Sequence, residues 1–259
     1  MLKPQERQQH IIKDIDGLDD NIIPRLSQKY GVSEMTIRRD LKVLEETGLI
    51  KRTYGGAVRW PEPPLLVRDK RQTMAQAQKV RIARYAAEHL VQHGDIIILE
   101  GGTTAATMAT YLADKDDLTV VTNGMATAEE LRRNLSLSAT IIATGGILRP
   151  ESSTCVGPVA ERFFREFHAN RLFLSATGLT LQEGITDPKM LETQVKRAMI
   201  ASASEVIMLM DSTKFGIRSL MKVIDWPEIR MLITDNNAPE EMVTGLRAKG
   251  VKIVIAPAL

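Results

Sequence analysis

A single cysteine, Cys155, stands among 259 residues, so the chain has no disulfide framework and a reducing compartment, the cytosol, is expected. No apolar run approaches the ~18 residues that a membrane span needs. The opening MLKPQERQQH lacks the apolar core of a secretory signal. A cytoplasmic protein with no membrane partner is therefore expected. Neither sign of charge is in excess: the formal net charge is +2, which excludes a uniformly basic coat for nucleic acid. No internal repeat or low-complexity tract occurs. Metal and thiol chemistry are poorly served as well. His89 and His93 would lie one helical turn apart, but no third ligand is evident, so a solvated pair is the simpler reading. No His or Lys close in sequence would activate Cys155, which reads as a packed or idle thiol. Met208 and Met210 read as core rather than a cofactor box, and Trp226-Pro227 as packing against a sheet. No cofactor and no metal are expected.

What the chain does hold is concentrated. Its length allows one or two domains and a sizeable core. Between Arg38 and Arg59 six basic residues (Arg38, Arg39, Lys42, Lys51, Arg52, Arg59) outnumber three acids (Asp40, Glu45, Glu46). A local basic surface on a neutral protein suits a site-specific nucleic-acid binder with few, focused phosphate contacts. Ser33 can cap a helix through its hydroxyl. Met35, Ile37, Leu41 and Leu44 then supply inward positions at roughly helical spacing. Arg38, Arg39 and Lys42 fall largely on the other side. Thr36 and Arg39, one turn apart, can reach base edges, where arginine pairs with guanine through two hydrogen bonds. Thr47-Gly48 stops the helix. Residues 49–52 read as a strand, Tyr54-Gly55-Gly56 as a turn whose glycines allow positive φ, and 57–59 as the returning strand. Upstream, 4–15 read as a helix with Ile11, Ile12 and Ile15 on its apolar stripe, ended by Gly17. A second helix runs from about Pro24 to Tyr30 and buries Leu26 and Tyr30. Gly31-Val32 turns into the basic helix. Two helices, a glycine turn and a hairpin make a winged helix-turn-helix.

Trp60-Pro61-Glu62-Pro63-Pro64 cannot continue a helix or central strand and favours a stiff spacer. The expected organisation is a DNA-binding domain at 1–59, a linker at 60–74 and an α/β effector-binding and oligomerisation domain at 75–259. In the last, a helix over 75–92 presents Val80, Ile82, Ala83, Ala86 and Leu90. Strands at 95–100, 118–122 and 139–144 alternate with helices to about 113 and 133. Further strands are expected at 172–176, 206–210, 231–234 and 252–255. Such alternation builds a Rossmann-like, mostly parallel sheet wrapped by helices. Ligands of such sheets sit beyond the carboxyl ends of the strands, where the small polar motifs fall. Glu100-Gly101-Gly102-Thr103-Thr104 places bare amides and two hydroxyls at a helix start, an anion cradle. Thr122-Asn123-Gly124 and Thr144-Gly145-Gly146 repeat the arrangement. Asp211-Ser212-Thr213-Lys214-Phe215 brings the Lys214 charge to the same rim. One glycine motif at a strand end is ordinarily a turn; three in register with a lysine point to an anion site.

The S-x-x-T-I-R-R-D-L run from Ser33, its L-x-x-L-E-x-x-G continuation and the R-x-Y-G-G-A wing resemble the DeoR family of bacterial transcription regulators. The resemblance extends, less tightly, along most of the chain. It implies double-stranded operator DNA as partner, held by Ser33, Thr36, Arg38, Arg39, Lys42, Lys51, Arg52, Tyr54, Gly55 and Gly56. It implies a strand or arm from about Leu65. Its second half is similar to a sugar-sensing domain with the fold of ribose-5-phosphate isomerase. There D-x-G-T-T, T-N and D-S-S-K-F segments frame a pocket for a phosphorylated sugar. The matching positions are Glu100, Gly101, Gly102, Thr103, Thr104, Thr122, Asn123, Asp211 and Lys214, with Gly145 and Gly146 on the same rim. Lys196 fits the family's E-x-x-x-K-R pattern, although by itself it reads as a solvated helix lysine. Two departures touch the reading of sugar hydroxyls. Glu100 replaces the usual Asp, with Gly101 beside it, and Ser175-Ala176-Thr177-Gly178 replaces G-A-x-G. An unusual or differently charged effector is therefore in view. The leading expectation is a repressor of a carbohydrate-use operon, released by a phosphorylated sugar or related anion. It would work as a homodimer or homotetramer, since one wing contacts too little DNA. An isomerase-like enzyme with a DNA-binding head, using Glu100 or Asp211 as base, and an activator or non-sensing binder are the alternatives.

Overall fold

The computed structural model describes residues 7–8, 10–11, 14, 22–46, 50–53, 56–59 and 68–258, in two compact units, Met1–Leu65 and Leu66–Leu259. Ile12, Ile15, Gly17, Thr47-Gly48, Leu49, Tyr54, Gly55 and the proline-rich 60–64 lie outside the described residues, as does Leu65, where the arm was expected.

In the first unit Arg7, Gln8, His10, Ile11 and Asp14 are helical. α1 (Ile22–Tyr30) and α2 (Glu34–Glu46) follow, joined by a turn in which Gly31 takes φ 62. β1 (Ile50–Thr53) then pairs antiparallel with β2 (Gly56–Arg59), Ile50 opposite Arg59 and Thr53 opposite Gly56. Ile11, Ile22, Ile23, Leu26, Ile37, Leu41 and Leu44 form the core. This is the winged helix-turn-helix arrangement. Two expectations need correcting. Tyr30 is only half-buried, because its hydroxyl reaches out to donate to Asp14. Met35 is 71% exposed rather than inward. At 100° per residue, positions 35 and 37 lie about 200° apart and cannot share a helix face.

The second unit begins with α3 (Arg68–Thr73), a helix inside the stretch expected to be linker and where the resemblance implied a strand or arm. R-D-K-R-Q-T has none of the apolar alternation that a strand needs. The Arg68 backbone N–H is instead tied to the Glu151 carbonyl at 2.8 Å. Next come α4 (Gln76–Leu90), β3 (Ile96–Leu99), α5 (Thr103–Met108), β4 (Thr119–Thr122), α6 (Met125–Asn134) and β5 (Thr140–Ala143). They are followed by β6 (Ile147–Arg149), β7 (Thr154–Val156), α7 (Pro158–Arg165), β8 (Ala169–Leu174), β9 (Gly178–Thr180), β10 (Gly184–Asp187) and α8 (Met190–Ala201). β11 (Ala203–Leu209), β12 (Met221–Ile224), β13 (Met231–Thr234), α9 (Glu240–Ala248) and β14 (Lys252–Ile255) complete it.

Seven strands form one sheet in the order β14-β13-β11-β8-β3-β4-β5, and every pairing in it is parallel. Alternate side chains serve opposite faces. Ile98, Val121, Leu172, Leu174, Val206, Met208 and Leu232 meet Phe164 of α7, Val195 and Met199 of α8 and Leu246 of α9. Ile97, Leu99, Val120, Phe173, Ile207, Leu209 and Ile233 meet Ile82, Ala83 and Ala86 of α4 and Met108 of α5. Coverage on both faces explains the nearly unbroken apolar runs of the strands. Met210 is core, as expected, and Trp226 packs in the first cluster with its Nε1 donating to the Leu181 carbonyl. Burial raises the pKa of Cys155, which favours the inert thiol. His89 stacks on Tyr85, while His93 accepts from the Asp116 amide, so the two imidazoles have separate partners. Sequence reading missed the short strands: β12-β10-β9 form an antiparallel sheet and β6-β7 a hairpin. From β3 the chain winds outward through β4 and β5, then restarts at β8 and winds the other way. The gap between the carboxyl ends of β3 and β8 is thus the topological switch point, where such sheets hold ligands.

Candidate functional site

Glu100 follows β3 and Ser175 follows β8, so both face that gap. The Glu100 amide donates to the Phe173 carbonyl at 3.1 Å, and Glu100 Oε2 accepts from Ser175 Oγ at 2.8 Å. Gly102 lets them meet, since a Cβ there would lie 2.1 Å from Ser175 Oγ and 2.5 Å from Glu100 Oε2. Gly101 and Gly124 press backbone to backbone: a Cβ on Gly101 would sit 2.8 Å from the Gly124 Cα. Asn123 locks this approach, its Oδ1 accepting the Gly101 amide at 3.0 Å and its Nδ2 donating to the Cys155 carbonyl at 3.1 Å. Thr122 Oγ1 accepts the Gly124 amide at 3.0 Å. Close packing of two loops is therefore what these glycines supply. Thr122 and Asn123 shape the rim from below, while Thr103 and Thr104 are buried at the start of α5. Gly145 and Gly146 are exposed, with φ 67 and 112, at the bend from β5 into β6, two strands away from β3. They are not brought to Glu100 by the strand order; the turn reading holds for them.

Lys196 is not a solvated lysine. It is 7% exposed, and its ammonium donates to the Ser175 carbonyl at 2.7 Å and to the Asp187 carboxylate. Glu100 Oε1 lies 3.6 Å away. Burial opposes the charged lysine, but Asp187 first and then Glu100 outweigh it, and its pKa ends above the ordinary lysine value. Asp187 Oδ1 also accepts the Thr177 amide at 2.7 Å. Thr177 belongs to the S-A-T-G segment that departs from the family pattern. One turn before Lys196, Glu192 accepts from Ser152 at 2.9 Å.

A second group gathers beyond β11. Asp211 is fully buried; its Oδ1 accepts the Thr213 amide at 3.1 Å and the Thr213 hydroxyl. Asp211 Oδ2 has no partner among the described residues. Lys79 of α4 is 4% exposed and donates to the Arg71 carbonyl. Burial pushes its pKa down to about 8; Asp211 draws it back up, while Lys214, Arg71 and Arg68 push it down further. Lys79 thus has three other cations and one carboxylate close enough to shift its pKa. Arg68 ties this group to the first, since its Nη1 donates to the Gly101 carbonyl at 2.7 Å.

In the first unit Ser33 caps α2, its Oγ accepting the Thr36 amide at 3.2 Å and lying 2.9 Å from the Thr36 hydroxyl. Arg38, Arg39 and Lys42 are exposed, Arg38 lying 3.8 Å from Glu34. Met35 joins them, because 35, 38, 39 and 42 follow the i, i+3, i+4, i+7 spacing of one face. Asp40 points the opposite way, buried against Arg7 Nε at 2.7 Å and Gln8 Nε2 at 3.0 Å. Lys51 and Arg52 lie on β1 and Gly56 on β2.

Residues 7–61 match the family model described as DeoR-like helix-turn-helix domain, and residues 74–236 that of the DeoR C terminal sensor domain. The chain belongs to the DeoR family of transcriptional regulators. The HTH-type transcriptional regulator GolR of Listeria innocua is 36% identical, over 98% of this chain and 99% of its own. A putative aga operon transcriptional repressor of Escherichia coli O157:H7 is 34% identical, over 96% and 93%. A ribose-5-phosphate isomerase from Methanocaldococcus jannaschii aligns over 53% of each chain at 16% identity and a TM-score of 0.37, too distant to carry an argument. The sequence does not single out Arg68, Lys79, Asp187 or Glu192, which the structure brings into these clusters. Asp187 ends a four-residue strand of mixed composition, and Lys79 looks like any other lysine of an amphipathic helix. No periodicity marks either as buried.

Proposed function

We propose that this DeoR-family regulator is a repressor whose two or more heads release operator DNA when an anionic metabolite, a phosphorylated sugar, occupies the sensor rim. What supports this is the gathering of Lys214, Arg71 and Arg68 around Lys79 with Asp211 as the one carboxylate among them, Asp211 and Lys214 following β11 and Arg68 reaching the Gly101 carbonyl beside Glu100. Neighbouring strands lie about 4.8 Å apart, so β11 and β3 end roughly 10 Å from one another, a length that a sugar phosphate spans. The cations suit its phosphate, and the carboxylate group its hydroxyls. Both carboxylate oxygens of Glu100 are engaged, Oε2 by the Ser175 hydroxyl and Oε1 by the Lys196 ammonium, which leaves neither free as a base for abstracting protons. We read the site as sensory, with no turnover of aldose or ketose phosphates. Residues 1–59 serve as the head and the unit after the linker as sensor and oligomer contact, in the cytoplasm, as a homodimer or homotetramer.

The test is fluorescence anisotropy on DNA from the protein's own upstream region at fixed salt, with phosphorylated and free sugars added in parallel. Tight binding released by a phosphorylated compound supports the reading; binding that no compound disturbs would overturn the sensor assignment. In the same assay Arg38→Ala and Arg39→Ala are expected to weaken binding by about 1–3 kcal/mol each while the melting temperature holds. Normal affinity in both would remove α2 from the interface.

Proton linkage gives a second check. The folded pKa of Lys79 is about 8, and a bound anion favours its charged form. Below pH 8 the proton is already present; above it, binding must take one up. Calorimetry with inorganic phosphate should therefore show affinity falling up to about tenfold per pH unit above pH 8. Lys79→Met should bind more weakly and lose that slope. An unchanged slope would assign the proton to another group.

A further inference from the structure

We propose that Met35 is a specificity-determining residue that packs against thymine 5-methyl groups in the major groove, an inference resting on the DNA-binding reading above. The inward face of α2 is filled by Ile37, Leu41 and Leu44, so Met35 has no place in the core. It stands 71% exposed in the first turn of α2, the end of a recognition helix that meets base edges. Its neighbours on that face are Arg38, Arg39 and Lys42, whose charge selects a polyanionic partner. Duplex DNA combines phosphates with isolated apolar points, and in the major groove the thymine methyl is the one apolar group that a base pair presents. An unbranched thioether side chain with three rotatable bonds adapts to such a point without demanding one geometry. Arginine and lysine beside it read guanine or phosphate; Met35 adds what they cannot supply, discrimination of thymine from cytosine.

The test uses the full chain and upstream DNA prepared in two forms, with thymine or with deoxyuridine throughout, which deletes only the methyl groups. For the natural chain, anisotropy should show about fourfold weaker binding per contacted methyl on the deoxyuridine form, the worth of burying one carbon. Met35→Ala should show that loss on thymine DNA and no further loss on deoxyuridine DNA. Met35→Leu should recover part of the difference. The dependence on salt should be the same for the natural chain and Met35→Ala, since a methyl contact displaces no counterion. An exposed Met→Ala change within a helix leaves the fold intact, so weak binding cannot be laid to unfolding. Equal losses on deoxyuridine DNA for the natural chain and Met35→Ala would overturn the proposal, as would indifference of the natural chain to the methyl groups. Failure of the natural chain to bind either DNA would instead overturn the DNA-binding reading itself.

Discussion

Lys196→Met is expected to destabilise the second unit by about 3–5 kcal/mol, the usual cost of removing one member of a buried ionic group. At roughly 2–4 °C per kcal/mol for a unit of this size, the melting temperature should fall by about 6–20 °C. The cost arises because Glu100 and Asp187, 4% and 2% exposed, keep their carboxylates but lose the ammonium between them, and the Ser175 carbonyl loses its donor. The pKa of Lys196 is raised in the fold, so its stabilising charge is fully present below the ordinary lysine value near 10.5 and is lost only as pH rises through the higher folded value. The natural chain should thus show no stability loss from this group at neutral pH. Asp187→Asn added to Lys196→Met should recover part of the loss. Calorimetry of the single and double variants measures both effects. A shift below about 2 °C would mean that the ammonium is solvated, and the hydroxyl-binding end of the proposed pocket would fall with it. Arg162→Ala, which breaks an exposed pair with Glu166, is the natural contrast, with an expected change within about 0.5 kcal/mol.

The major architecture was legible because its signals were local and chemically uniform. I-I-I-L, T-V-V-T and M-L-I-T have apolar centres because strands covered on both faces have little polar side to show, and even the edge strand K-I-V-I keeps three apolar residues in a row. The winged head was legible from Ser33 and Gly31, the one a helix cap and the other a positive-φ turn. What was missed depended on partners distant in sequence. Lys196 reads as a solvated lysine until Glu100 and Asp187, from separate elements, are placed around it. Gly101 and Gly102 read as a source of bare amides, yet the Gly101 amide is taken by Asn123, and what both glycines supply is close approach. G-L-T, G-I-T-D and I-L-R are too short and too mixed to reveal a strand. Met35 reads as inward from its spacing along the chain, but around the helix it lies on the outer face.

Asp40→Ala is expected to abolish DNA binding by unfolding the first unit, a route distinct from that of the arginines beside it. In the run Arg38-Arg39-Asp40-Leu41 the two arginines face solvent, while Asp40 and Leu41 face the core. Asp40 joins α2 to the preceding helical residues through Arg7 Nε at 2.7 Å and Gln8 Nε2 at 3.0 Å, away from water. Truncating it removes the carboxylate beside the buried Arg7 guanidinium, a change that costs about 3–5 kcal/mol. Among the described residues seven aliphatic side chains form the core, and a unit this small rarely draws more than about 3–5 kcal/mol from its core. The two magnitudes match, so the head should be largely unfolded at 25 °C. Limited proteolysis should then cut Asp40→Ala within residues 1–65 and leave the unit from residue 66 resistant, whereas Arg39→Ala should stay protected in both. Anisotropy alone would record lost binding for each; only the protease separates a lost contact from a lost scaffold. If Asp40→Ala stayed protected and still bound DNA, the apolar face of α2 would suffice to hold it. The inward aspartate would then have to act on the orientation of the arginines instead of on the stability of the helix that carries them.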